Sequence, residues 1–307
     1  MLPLLFILKT EYLNKCNGIL NDMRIIKRKN YYYLQHTYRK DKKVVCKELY
    51  LGKSIPKDID EIKEKLLRKT QGRELFQKFD KIKKNYQKQW KKYPKSIKEK
   101  IKKQLIVDFT YNSNAIEGST ITKDETEEII ERKIAPNKPL NDIQETINHA
   151  KVFEKILDDC YNDISLKLVR DWHLEIFKQS KPDIAGEIRE YLVRVGDYVC
   201  PDWQDLPKLL REFFVWYNKN KKMHPIELAA KAHYKFVRIH PFGDGNGRIS
   251  RLIMNFILHK HGFPVLVIEY KKRISYYKAL RKADKKTEYE FLKYFYRRYL
   301  SYCERYV

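Results

Sequence analysis

Along most of this chain apolar residues return every three to four positions, the spacing that lines one face of a helix. Ile226, Ala229, Ala230, His233, Phe236 and Val237 keep it and predict a helix over Pro225–Ile239, with His233 packed in the core. Ile249, Leu252, Ile253, Phe256 and Ile257 keep it again, and Gly262 and Pro264 end that second helix. Thr122-x-x-Glu125 is a capping box that starts a helix through Glu127, Ile129 and Ile130. Alternation takes over in two places only. Residues 31–38 and 44–51, around Lys40-Asp-Lys42, predict a β-hairpin. Gly186-Glu-Ile-Arg189 followed by residues 191–199, broken at Gly196-Asp197, predicts a shorter one. The expected class is mainly α.

Pro56 and Pro94 punctuate the first third of the chain. The expected organisation is a poorly ordered extension at 1–22, a small β-hairpin module at 23–55, a basic helical linker at 56–107 and a helical core at 108–307.

Between the two core helices runs His240-Pro-Phe-Gly-Asp-Gly-Asn-Gly-Arg-Ile-Ser-Arg251. A histidine titrates near neutrality, so His240 is a candidate general base. Asp244 is the only carboxylate in the stretch and suits Mg2+ held together with substrate phosphates. Gly243, Gly245 and Gly247 let backbone amides approach an anion at the start of the following helix. Arg248 and Arg251, three apart, share a face there and can clamp phosphates. The glycines run G-x-G-x-G and no Gly-Lys-Ser/Thr follows, which excludes the dinucleotide and P-loop fingerprints.

This stretch resembles the signature of the Fic family, H-x-F-x-(D/E)-(G/A)-N-(G/K)-R-x-x-R, at every defined position. The resemblance, which covers roughly residue 108 onward, implies a Fic-type helical bundle with a short β-hairpin flap. It implies transfer of AMP from ATP to a protein hydroxyl with release of pyrophosphate. Phe242 would anchor the loop and Asn246 would position phosphate, while Gly247 sides with the adenylyl-transferring branch, since the Doc-type branch carries lysine there. Arg273, Tyr277 and Leu280 fall where the family has a nucleoside-side helix, and Tyr277 is taken as an adenosine contact. Ser113-Asn-Ala-Ile-Glu117-Gly118 is similar to the family's inhibitory motif, (S/T)-x-x-x-E-(G/N), in the class that places it before the core. Glu117 would then pair with Arg251 and put negative charge where a γ-phosphate belongs. The 186–199 hairpin would pair with a target segment as an added strand. Two alternatives stay open: removal of AMP, with Glu117 positioning a water, and a regulator that binds nucleotide or nucleic acid and turns nothing over.

Composition adds one further feature. Of a net charge of +25, residues 1–107 supply most, with 30 Lys and Arg against 11 Asp and Glu. Lys81–Lys84 and Lys88–Lys103, interleaved with Tyr86, Trp90 and Tyr93, suit an acidic partner or nucleic acid, although no helix-turn-helix or zinc motif is present. Five scattered cysteines without C-x-x-C spacing fit a cytoplasmic setting, and His259-x-His261 has no evident third ligand. The apolar start of the chain is too short to span a bilayer, so no membrane partner is expected. A homodimer is left open.

Overall fold

The computed structural model describes residues 23–40, 43–67, 72–159, 163–285 and 287–307, so the extension expected at 1–22 lies outside the described residues. The chain divides into two compact units, one of residues 86–281 and one of residues up to Asn85 together with Lys282–Val307.

The larger unit is helical. Helix α3 (Lys95–Ile116) is followed by the short α4 (Lys123–Glu127), a π-helical turn at Glu128–Arg132, α5 (Leu140–Asp158), α6 (Leu166–Phe177), α7 (Leu206–Lys219), α8 (Pro225–Ile239) and α9 (Asn246–Lys260). Helix α8 starts at Pro225, whose missing N–H costs nothing in a first turn, with His224 Nδ1 accepting from the Ile226 amide. The Thr122–Glu125 capping box is formed in both directions at the start of α4.

Helix α9 is the centre of the bundle and packs against α8, α5, α6 and α3. The sequence pattern marked one apolar face of it. The structure also buries Ser250, Arg251, Met254, Asn255 and Leu258, so the helix is covered all round. Its buried polar residues are there because they have partners: Asn255 donates Nδ2 to Leu266 O at 3.0 Å and accepts from Leu266 N at 2.8 Å, tying down the segment that follows. Between α6 and α7 lies the flap, where β4 (Arg194–Val195) pairs antiparallel with β5 (Tyr198–Val199) across Gly196-Asp197. The ladder is shorter than the alternation suggested.

The smaller unit opens with β1 (Arg24–Arg28), β2 (Tyr31–Lys40) and β3 (Lys43–Gly52), a three-stranded antiparallel sheet in the order β1-β2-β3. Two strands were expected; β1 joins because Ile25 and Ile26 pair with Leu34 and Tyr33 through a turn at Lys29, which takes φ 53°. One sheet face buries Leu34, His36 and Tyr38. Helix α1 (Ile59–Leu67) and the first part of α2 (Arg73–Lys92) follow, and α11 (Glu288–Tyr302) supplies Tyr296 and Tyr299 to an aromatic cluster with Phe76 and Phe79. Helix α10 (Arg273–Lys285) precedes α11.

Residue 107 lies inside α3, where Ile106, Val107 and Phe109 are buried, and the two compact units divide after Asn85 and before Lys282. No described helix is long and apolar enough to cross a membrane.

Candidate active site

The loop between α8 and α9 is built around one aromatic ring. Phe242 is fully buried, with its ring stacked 3.9 Å from that of His173 on α6 and 6.3 Å from Phe236 on α8. Burying such a ring contributes roughly 1.5–3 kcal/mol. Asn246 closes the loop over it: Oδ1 accepts from Phe242 N at 2.9 Å and Nδ2 donates to Phe242 O at 2.8 Å. Both ends of this buried amide are therefore committed to the backbone. Asn246, expected from sequence to position phosphate, shapes the loop through these two bonds.

His240 caps α8 in the left-handed region, φ 51° and ψ 58°, which is costly for a residue with a Cβ and turns the chain out of the helix at this point. Its carbonyl accepts Arg189 Nε at 2.8 Å, and its Nδ1 lies 3.3 Å from Val237 O. With Nδ1–H donated to that carbonyl, Nε2 keeps its lone pair. Burial holds the imidazole below its ordinary pKa, against the opposing pull of the Val237 bond, so His240 is neutral and basic near pH 7.

Asp244 follows two residues after Phe242. Its carboxylate pairs with Lys181 Nζ, lies 3.5 Å from Arg248 Nη2, and accepts the Gly245 amide. Burial pushes the carboxyl up, but Arg248 and Lys181 outweigh it and hold it below the usual carboxylate range. Arg248 is buried, ion-paired to Glu145 on α5, with its guanidinium 4.5 Å from the Phe177 ring. Glu145 also lies 3.4 Å from Lys181, which completes a four-charge network. No group of three His, Cys, Asp or Glu able to hold a metal occurs among the described residues. The donor set fits a cation that arrives with a triphosphate and takes the Asp244 oxygen now held by an ammonium.

Each loop glycine has a close neighbour where a side chain would stand. A Cβ on Gly243 would fall 2.2 Å from the Tyr191 hydroxyl, and one on Gly245, which has φ 75°, would fall 2.4 Å from the Phe177 ring. At Gly247 it would fall 2.1 Å from Glu117 Oε1 and 3.2 Å from Arg251 Nη1. The Glu117 carboxylate thus lies directly over the first turn of α9, the place where helix amides and the macrodipole favour an anion.

Glu117 reaches that position from the end of α3. Gly118 adopts φ 95°, which only glycine takes readily, and stops the helix there, with its amide donating to Ala115 O. Arg251 donates Nη2 to Glu117 Oε1 at 2.8 Å and to Ser113 O at 2.9 Å, and Nε to Ser113 Oγ at 2.9 Å. Ser113 and Glu117, four apart, therefore grip one guanidinium. Burial lowers the Arg251 pKa, and Glu117 together with the neighbouring Tyr276 and Tyr277 more than restores it, leaving the net shift upward. Arg251 Nη1 is buried and has no hydrogen-bond partner, an orphan donor beside Gly247. Tyr277 on α10 donates its hydroxyl to Ile116 O at 2.7 Å, next to Glu117, and burial raises its pKa to about 12. Arg273 lies over the Tyr270 ring at 4.1 Å and Leu280 is half-buried.

Sequence reading missed four residues here. Glu145 and Lys181 balance the loop's charges, while His173 donates Nε2–H to Asp244 O at 3.0 Å and accepts the Gly186 amide on Nδ1 at 2.9 Å. Burial drives the His173 pKa down to about 4. Arg189 is buried, and besides His240 it bonds Tyr191 O and Pro201 O, fastening both ends of the flap to the loop. The available signal was polarity on buried helix faces, as at Glu145, Thr146, Asn148 and His149 in α5. The pair His259 and His261 bond the carbonyls of Leu157 and Ile257.

Residues 163–258 match the Fic/DOC family. A protein adenylyltransferase Fic of Nematostella vectensis is 38% identical over 188 residues, 59% of this chain and 44% of that protein. Its Drosophila melanogaster counterpart is 35% identical over 194 residues, 60% of this chain and 38% of that one. The chain thus spans less than half the length of these curated relatives. Among solved structures, a Fic domain containing signaling protein of Bacteroides thetaiotaomicron superposes with a TM-score of 0.67 at 26% identity, covering 74% of this chain and 96% of that one. A Fic protein of C. elegans gives 0.66 at 25% identity, covering 76% and 71%. Loop and flap lie within residues 163–258, the segment that matches the Fic/DOC family, and the helical bundle around them superposes on these Fic structures.

Proposed function

We propose that this chain is a protein adenylyltransferase restrained by its own Glu117. A hydroxyl oxygen of a target protein attacks the α-phosphorus of ATP, its proton passes to Nε2 of His240, and the bond from the α-phosphorus to the bridging oxygen breaks to release pyrophosphate. Arg248, Arg251 and the first amides of α9 hold the phosphates, with Tyr277 on the adenosine side. Mg2+ at Asp244, when bound, neutralises charge on the phosphates. The target segment lies along the flap as an added strand, and Arg189 holds the flap itself in reach of His240 by bonding the carbonyls of Tyr191 and His240.

The observation that carries this reading is the meeting of Glu117, Gly247 and the orphan Nη1 of Arg251 at the start of α9. A buried guanidinium with an unused donor, beside helix amides and under a carboxylate, is a phosphate position with an anion already in it.

The test is incubation with ATP labelled on its α-phosphate. His240→Ala should cut label transfer on the order of a hundred- to ten-thousand-fold while still binding ATP, because proton removal is needed in the transition state and not in the ground state. Transfer within a few-fold of the parent would remove His240 from the base role.

A further inference from the structure

The basic N-terminal region takes no part in the chemistry above, and its sheet gives it a shape. With Leu34, His36 and Tyr38 buried behind, the other face presents Arg24, Arg28, Tyr31, Tyr33, Glu48 and Tyr50 by strand register. Tyr50 is 56% exposed and Tyr31 37%. Their rings are not scattered. Tyr50 lies 5.8 Å from Tyr31 and 5.5 Å from Tyr33, and the Arg28 guanidinium lies 5.5 Å from the Tyr33 centroid. Arg28 is held in place by a two-point pair with Glu48 at 2.7 and 2.9 Å, and Gln35 steadies Glu48 at 3.0 Å. The result is a braced row of aromatic faces open to solvent on a sheet too small to hide them.

Charge in this part of the chain is mostly of one sign, with Arg24 and Arg28 on the row's own face and Lys29 in the turn beside it. Residues 23–55 carry ten Lys and Arg against two Asp and Glu, and Glu48 is already spent on Arg28. An acidic peptide would satisfy the cations and leave the rings unused. A duplex would satisfy them too, but its bases are stacked on one another. A ligand that offers both flat apolar faces and phosphates is single-stranded nucleic acid, whose unpaired bases stack on aromatic side chains while its backbone follows basic residues. We propose that this sheet face binds single-stranded nucleic acid, with bases on Tyr31 and Tyr50 and phosphates against Arg24 and Lys29. The proposal is independent of the adenylyl-transfer reading.

The experiment uses the full chain and fluorescence anisotropy with labelled mixed-sequence strands of about twelve nucleotides, within the range one such surface covers, as DNA, as RNA and as the DNA duplex. The single strands should bind at least about tenfold more tightly than the duplex, since only they offer free base faces. Tyr50→Ala should weaken them about five- to hundredfold, the loss expected of one stacked base, and Tyr50→Phe should stay within about twofold. Tyr31→Ala, at the strand end, gives the same reading without disturbing Tyr33, and thermal melts of each variant establish that the sheet is folded. Equal affinity for duplex and single strand, unchanged binding in both alanine variants, or no binding of either strand at low salt would overturn the proposal.

Discussion

Arg248 and Arg251 stand three residues apart on α9, both buried, and the structure restrains them in different ways. Arg248 is matched by Glu145, a carboxylate buried in the middle of α5, and rests on Phe177. Arg251 is matched by Glu117, about a quarter exposed, on the last turn of α3 beside a glycine at φ 95°. A charge locked by a partner inside the core is part of the architecture. A charge whose partner hangs from a helix end can be handed to an incoming anion. The two arginines thus divide the loop into a fixed half, at Arg248 and Glu145, and an exchangeable half, at Arg251 and Glu117.

That contrast breaks first on stability. Glu145→Ala strips a buried guanidinium of its nearest carboxylate and should cost about 3–5 kcal/mol in urea unfolding, whereas Glu117→Gly, whose carboxylate is partly exposed and leaves Arg251 its two bonds to Ser113, should cost less, about 1.5–3 kcal/mol. Similar losses at the two sites would erase the distinction.

Coupling is the next largest effect. Arg251→Ala removes the anchor of Glu117 and a phosphate ligand together, so the double variant with Glu117→Gly should match Arg251→Ala alone in ATP affinity. Additive effects would mean that Glu117 acts elsewhere.

Acid should then unsettle the fixed half. Burial, with Arg248 and Arg251 nearby, keeps His149 well below its ordinary pKa, and His173 sits at about 4. A histidine whose folded pKa is depressed stabilises the fold above its unfolded value near 6.5, and that stability drains as pH falls toward 4, because the unfolded chain takes up the proton first. From pH 7 to pH 5, His173 alone should remove about 2 kcal/mol. A flat profile across that window would contradict the neutral, Asp244-bonded tautomer assigned to His173.

The smallest effect concerns Lys181, whose ammonium occupies an Asp244 oxygen. Lys181→Met should raise Mn2+ affinity without nucleotide a few-fold, on the order of 1 kcal/mol, as read by electron paramagnetic resonance. Unchanged affinity would show that the ammonium does not compete for that oxygen.

How much of this was legible in the sequence follows from how the parts are joined. The loop could be read because His240 to Arg251 are contiguous and their functions follow from residue type and spacing. The helices on either side could be read because α8 and the apolar stripe of α9 keep helical periodicity. Full burial of α9 could not, since Arg251 and Asn255 look like a solvent face until their partners on other segments are known. The same holds for Glu145, Lys181 and Arg189, which meet the loop from 51 to 103 residues away. Asn246 shows the converse, a residue placed correctly whose amide turns out to serve the backbone. Strand β1 was missed because a five-residue strand whose positions are all exposed or half-exposed carries little pattern of its own.

The central claim is that the Glu117 carboxylate holds the position an ATP phosphate needs. Isothermal titration of ATP into the parent and Glu117→Gly, both carrying His240→Ala to prevent turnover, measures it directly. Loss of a competing charge-assisted pair of roughly 1.5–3 kcal/mol should tighten binding about ten- to hundredfold, and label transfer should rise in Glu117→Gly with His240 restored. Equal affinities, with transfer unchanged or lowered, would contradict the account and make Glu117 the water-positioning group of an enzyme that removes AMP.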